Sequence, residues 1–151
     1  MEHRICVGAL IVHNDKLLMV NHKREDRYDF WVAPGGGVKD TESLEDSVIR
    51  EVKEETGLNV AVDQLMYIEQ MYFPKERSVK FWYRCELIDG HLDCTAKEAT
   101  IEYIVDVKFM DKHELELRET YPPMLKESFW EKVKQESVQP EVIGLRELKN
   151  Y

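Results

Sequence analysis

The chain has 151 residues, 43% of them hydrophobic and 34% charged, and its formal net charge is -9. That length fits a single domain, residues 1–151, which can bury a core without disulfide staples. The negative balance argues against a nucleic-acid polymer as partner, while a small phosphate ligand remains compatible through one metal ion or a few local cations.

The cysteines, Cys6, Cys85 and Cys94, are odd in number and form no C-x-x-C pair. No disulfide framework or zinc site is expected, and a reducing compartment fits. The five histidines show no ligand spacing. The apolar run after Met1-Glu2-His3-Arg4 covers only about eight residues, too short for a membrane span. No signal-peptide cleavage pattern follows it, so a cytoplasmic protein without a membrane partner is expected.

In chain order, Ile5 to Val12 is apolar and β-prone, Asn14-Asp15 marks a turn, and Lys16 to Val20 resumes the apolar pattern, which predicts a hairpin. His22 to Asp29 is polar and predicts a loop, and Phe30-Trp31-Val32 a short strand. Pro34-Gly35-Gly36-Gly37 is expected to lie outside regular structure. Thr41 to Thr56 predicts a helix capped by Thr41 or Ser43 and stopped by Gly57. Val60 to Phe73 and Ser78 to Leu87 predict strands around a turn at Pro74-Lys75-Glu76, with a second turn at Asp89-Gly90. Ile101 to Phe109 predicts another strand, and Pro122-Pro123 introduces a helix from about Met124 to Glu136. The tail after Pro140 is ambiguous. Hairpins beside a central helix predict a mixed sheet with helices on its faces, an α/β (α+β) class.

The chemistry concentrates between Gly36 and Leu58. At about 100° per residue, with Leu44 at zero, Val48 falls near 40° and Val52 near 80°, a buried stripe. On the same wheel Glu51 falls near -20°, Glu55 near +20° and Glu54 near -80°, while Asp46 and Lys53 lie on the far side, near 180°. Two glutamates therefore face the core, where an isolated carboxylate would sooner take a proton than stay charged. A divalent cation resolves the conflict. Carboxylate oxygens suit a hard ion, and magnesium favours one or two carboxylates with waters and phosphates. The glycines let backbone approach a ligand or metal closely. Arg50 could hold Glu42 or Glu54 as an ion pair, the latter four residues along the helix.

The full pattern is Gly36, five residues, Glu42, seven residues, then Arg50-Glu51-Val52-Lys53-Glu54-Glu55-Thr56-Gly57-Leu58. It resembles the Nudix box, G-x5-E-x7-R-E-U-x-E-E-x-G-U, in all seven fixed letters and both aliphatic positions. Seven such matches arise by chance about once in 10⁸ start positions. The resemblance implies a Nudix fold, an α/β/α sandwich around a mixed sheet with the box as loop-helix-loop. It implies magnesium, with manganese as a substitute, held by Glu51 and Glu55, and Glu54 as a further ligand or as the base. Gly36 would give a carbonyl or shape the loop, and Arg50 and Glu42 would orient the carboxylates. It also implies hydrolysis of a diphosphate linkage in a small-molecule nucleotide, such as ADP-ribose, a nucleoside triphosphate or a nucleotide sugar. The alternative is a nucleotide-binding or regulatory domain without turnover, and a homodimer is a family prior.

A glutamate outside the box often assists, and Glu98, ahead of the Ile101–Phe109 strand, is the candidate. Lys39 stands where relatives are frequently acidic, so it could lower the metal count or touch phosphate. Arg27, in the loop Lys23–Tyr28, could meet phosphates. Tyr28, Tyr72, Phe73 and Trp82 could stack on a base or belong to the core. Pro74, sixteen residues beyond the box, is similar to a feature of ADP-ribose-cleaving members, and a plain turn explains it equally well.

Overall fold

The structure is a computed structural model and describes residues 1–148, so the end of the ambiguous tail, 149–151, lies outside the described residues. Among the described residues ten strands are present: β1 (Glu2–His13), β2 (Lys16–Arg24), β3 (Tyr28–Val32), β4 (Gly35–Gly37), β5 (Leu58–Phe73), β6 (Glu76–Gly90), β7 (Ile104–Met110), β8 (Thr120–Tyr121), β9 (Glu141–Val142) and β10 (Arg146–Glu147). Four helices join them: α1 (Leu44–Thr56), α2 (Lys97–Ile101), α3 (Lys112–Leu117) and α4 (Phe129–Lys132). The strands form one mixed, curled sheet in the order β10-β5-β6-β1-β2-β3-β8. β1 runs parallel to β6 and antiparallel to β4, and β5–β6 is a long antiparallel hairpin. Among the described residues no helix is long and apolar enough to cross a membrane.

Strand alternation decides what each face of the sheet carries. On β1, Val7, Ala9 and Ile11 pack with Val48 and Val52 of α1. Leu10 points the other way, toward Trp82, Leu115 of α3 and Phe129 of α4. Each face of the sheet is thus covered by helix, in an α+β arrangement. The helical phase holds as well, since Val48 and Val52 are fully buried. Ser43 caps α1 by accepting from the Asp46 N–H at 3.0 Å, so Thr41 lies outside the helix. Gly57 ends it in the left-handed region, φ 79°, a conformation that glycine adopts without a Cβ penalty.

Several segments differ from expectation, each for a physical reason. The expected loop at 22–29 is mostly strand, because β2 is paired on both sides, to β3 and β7, and its polar residues are held by that ladder. Ile101 ends α2 instead of opening a strand. Tyr103, with φ 59°, then turns the chain into β7. The helix expected at 124–136 divides into a 3-10 turn, Pro123–Lys126, and α4, with Glu127 out of helical geometry between them. The segment Gly35–Gly37 is not irregular but a short strand against β1. A Cβ on Gly35 would sit 2.2 Å from the Val7 carbonyl oxygen, so only glycine permits that approach.

Candidate active site

α1 packs on the face of β1 that carries Val7, Ala9 and Ile11, and its carboxylates meet the backbone of β4, whose Gly35 and Gly36 line the cleft. The Gly35 N–H donates to Glu55 Oε1 at 2.7 Å. A Cβ on Gly36 would lie 2.6 Å from the Glu51 carboxyl carbon, so a bare backbone is what leaves room for that group. Glu51 is 5% exposed and Glu55 1%.

Arg50 organises this corner. Its Nε and Nη2 clamp Glu42 in a two-point pair at 3.0 and 2.6 Å. Nη1 donates to Glu51 Oε1 at 3.0 Å and to Glu54 Oε2 at 3.1 Å, and Nη2 also reaches the Gly37 carbonyl at 3.1 Å. The planar fork of a guanidinium allows this where an ammonium would not. Hydrogen bonding to Arg50 holds the Glu42 carboxyl down at about 2. The opposite holds at the cluster. Burial, then the charge on Glu102, pushes Glu51 up, and the same causes with Glu51 added push Glu55 far up.

The third member of the cluster is Glu102. One ligand oxygen from each of Glu51, Glu55 and Glu102 lies within 4.8 Å of the others. Glu102 is exposed as a residue, but its carboxyl end lines the cleft, where desolvation raises its pKa. His22 Nδ1 lies 3.1 Å from its carbonyl oxygen and helps fix the segment. Glu98, the residue expected to assist, sits one helical turn earlier on α2, is exposed, and is not in this group. Helix pitch accounts for the separation, since α2 continues past Glu98 to its C-cap, Glu102, one turn further on.

Three acids packed together are costly unless a cation joins them. Glu55 Oε2 is buried with no hydrogen-bond partner among the described residues, so one oxygen is left free for such an ion. An all-oxygen donor set of this kind fits magnesium or manganese.

The cluster borders a cleft of about 480 Å³, the size of a small-molecule site. Its floor is the second face of the mixed sheet. Cys6, Lys80 and Glu69 lie in one register row across β1, β6 and β5, and Gly37 of β4 extends that row toward the acids. Lys80 rests over the Trp82 ring at 4.3 Å. Arg4 and Lys80 add positive charge beside the carboxylates and weigh against the rise at Glu102. Tyr28, Phe30 and Tyr121 line an aromatic wall, with Phe30 edge-on to Tyr121 at 5.6 Å. Of the residues expected to meet substrate, Tyr28 is therefore in the cleft wall. Arg27 is exposed in the β2–β3 turn, and Lys39 is exposed before α1, its N–H donating to Glu42; neither lines the cleft. Phe73 and Trp82 line it, while Tyr72 does not, and Pro74 lies between β5 and β6. Sequence reasoning missed Glu102, Arg4 and Lys80. Only the parallel pairing of β1 with β6 puts the last two on one face, and no local pattern encodes it.

Comparison with known proteins agrees with this geometry. The sequence model of the NUDIX domain matches residues 2–129. "Nudix hydrolase 2" of Arabidopsis thaliana is 30% identical over 104 residues, covering 67% of this chain and 37% of that protein. An ADP-ribose pyrophosphatase of Methanocaldococcus jannaschii is 31% identical over 99 residues, covering 63% of this chain and 59% of that protein. The chain thus spans between about a third and three fifths of these curated relatives. Among solved structures, an ADP-ribose pyrophosphatase from Streptococcus suis superposes with TM-score 0.71 at 23% identity, covering 93% of this chain and 98% of that one. A NUDIX hydrolase from Nitrosomonas europaea gives TM-score 0.75 at 17% identity, covering 95% and 80% respectively. At that identity the structures speak for the fold, while the domain match over most of the chain speaks for descent. With its box intact and folded as a metal-ready corner, the chain belongs to the Nudix family.

Proposed function

We propose that the protein hydrolyses the diphosphate linkage of a small nucleoside diphosphate derivative in the presence of magnesium or manganese, with ADP-ribose as the first candidate. One observation carries this reading: three carboxylates, one with a buried unpartnered oxygen, converge at the end of a cleft of ligand size. Glu51, Glu55 and Glu102 would hold the ion, with Glu54 beside them. When bound, the ion supplies positive charge against the diphosphate oxygens and Lewis acidity toward the attacking water.

The chain's own residues do the rest. Arg50 locks Glu42, Glu51 and Glu54 in place, so that little reorganisation is needed on binding. Arg4 and Lys80 are placed to meet phosphate oxygens. Water adds at one phosphorus, the bridging P–O bond breaks, and the proton of the water passes to a carboxylate. Glu54 is suited to that role, because it is half-buried, tethered by a single Arg50 N–H, and outside the tight group of three. The choice of ADP-ribose is supported by the name of the Methanocaldococcus relative and by an aromatic wall able to stack on a base.

The test is a panel of ADP-ribose, nucleoside triphosphates, nucleotide sugars and dinucleoside polyphosphates, with magnesium or with EDTA. Nucleotide release that needs the metal is expected. A panel without metal-dependent turnover would contradict the reading and favour a binding domain.

A further inference from the structure

We infer that Arg146 is a specificity-determining residue that donates hydrogen bonds to an acceptor on the nucleoside end of the substrate. This rests on the proposed function for the direction in which the substrate lies. Arg146 belongs to β10, beyond residue 129 where the Nudix match ends. β10 pairs in parallel with β5, Arg146 opposite Met71, and Leu148 N–H continues the ladder to the Tyr72 carbonyl at 3.0 Å. Arg146 and Leu148 both line the cleft.

Position gives the residue its role. Across the cleft floor the order is β4, β1, β6, β5, β10. Four strand spacings separate the glycine edge from β10, roughly 19 Å. A diphosphate gripped beside the carboxylates at the first edge therefore directs its organic end toward the second.

The local chemistry says what Arg146 offers there. Its Nη2 donates to Glu69 Oε2 at 2.8 Å, and Glu69 Oε1 accepts from Trp82 Nε1 at 3.1 Å. Glu69 is 2% exposed, so the anchor is rigid and both of its oxygens are used. A guanidinium carries five N–H donors. Here one meets a protein acceptor, no other has a hydrogen-bond partner among the described residues, and the side chain keeps 31% of its surface exposed. The group also lies 5.8 Å from the Tyr121 ring, within the aromatic wall. A part-exposed guanidinium with unused donors, lining the cleft beside a stacking surface, suits a nucleobase carbonyl or ring nitrogen, or a sugar hydroxyl oxygen.

The test is calorimetric titration of AMP, ribose 5-phosphate and inorganic diphosphate into the full chain with magnesium present. Wild type, Arg146→Ala and Arg146→Lys are compared, with melting curves for each. The lysine keeps a positive charge opposite Glu69 and so keeps β10 seated, but it lacks the planar fork. Both variants should lose AMP affinity by about 10–100-fold, the value of a charge-assisted hydrogen bond, with diphosphate affinity unchanged and the lysine variant melting like wild type. If ribose 5-phosphate weakens in step with AMP, the acceptor is on the sugar; if AMP alone weakens, it is on the base. Unchanged AMP binding in both variants, an equal loss of diphosphate binding, or a wild type that does not bind AMP would overturn the inference. Loss of AMP affinity in a protein that hydrolyses nothing would uphold Arg146 and reject the hydrolase reading.

Discussion

Replacing Gly36 with alanine tests how the acidic corner is built. The new Cβ would lie 2.6 Å from Glu51 Cδ and Oε1 and 2.7 Å from Oε2. Ordinary van der Waals contact requires the carboxyl to retreat by most of an ångström. It has little room to do so, because Glu51 is 5% exposed and bonded to Arg50 Nη1 at 3.0 Å. The clash falls on the end of a side chain and not on backbone, so the fold should survive while the cluster loses its geometry. Disturbing the groups that orient metal ligands costs roughly 10–100-fold in affinity, and a similar rise in the half-saturating magnesium concentration is expected. Gly35→Ala is the contrast. Its Cβ meets the Val7 carbonyl oxygen at 2.2 Å and Gly8 Cα at 2.8 Å, so β1 and β4 must part, and a destabilisation of about 1–3 kcal/mol or more is expected. Magnesium titration of turnover, paired with thermal melts, separates the two. If Gly36→Ala kept wild-type magnesium dependence and stability, the idea that bare backbone makes room for Glu51 would be wrong.

Glu54→Gln and Glu55→Gln should each lower turnover by at least about tenfold with the fold intact, as steady-state kinetics beside melting curves would show; wild-type rates in both would count against the site. In EDTA, Glu55→Gln should melt above wild type. Burial raises the folded pKa of Glu55 over its unfolded value, so wild type loses stability as pH rises above about 4.3 while the amide does not. That gap should widen toward neutral pH and close near pH 4, and a variant less stable than wild type at neutral pH would refute it. Glu42 has the reverse sign. Its folded carboxyl is held at about 2, so the stability it contributes is present above the unfolded pKa and lost as pH falls toward 2. Glu42→Gln should therefore melt below wild type at pH 7, with the two curves merging in strong acid. A difference independent of pH would show that the Arg50 pair is not its source.

Much of this was legible in the sequence where the signal is local. Helical phase alone placed Val48, Val52, Glu51 and Glu55 inward, because one 13-residue helix sets their directions. Gly57 as a stop and Ser43 as a cap follow from the same local rules. The glycine run was read correctly as a place of close approach and wrongly as irregular, since nothing in Gly35-Gly36-Gly37 reveals that β1 lies alongside. Glu98 was chosen because a strand was expected to begin at Ile101; the chain is instead helical from Lys97 to Ile101, and it is Glu102, four residues past Glu98, that lies with Glu51 and Glu55. Lys80, Glu69 and Arg146 reach the cleft through pairings between distant strands, which no window of sequence contains.

The claim beneath all of this is that Glu51, Glu55 and Glu102 share one hard cation. A crystal soaked in manganese, with anomalous scattering recorded, tests it directly. An anomalous peak about 2.0–2.4 Å from oxygens of those three side chains, including the unpartnered Glu55 Oε2, is the expected result. A peak elsewhere, or none while the carboxylates keep their positions, would contradict it.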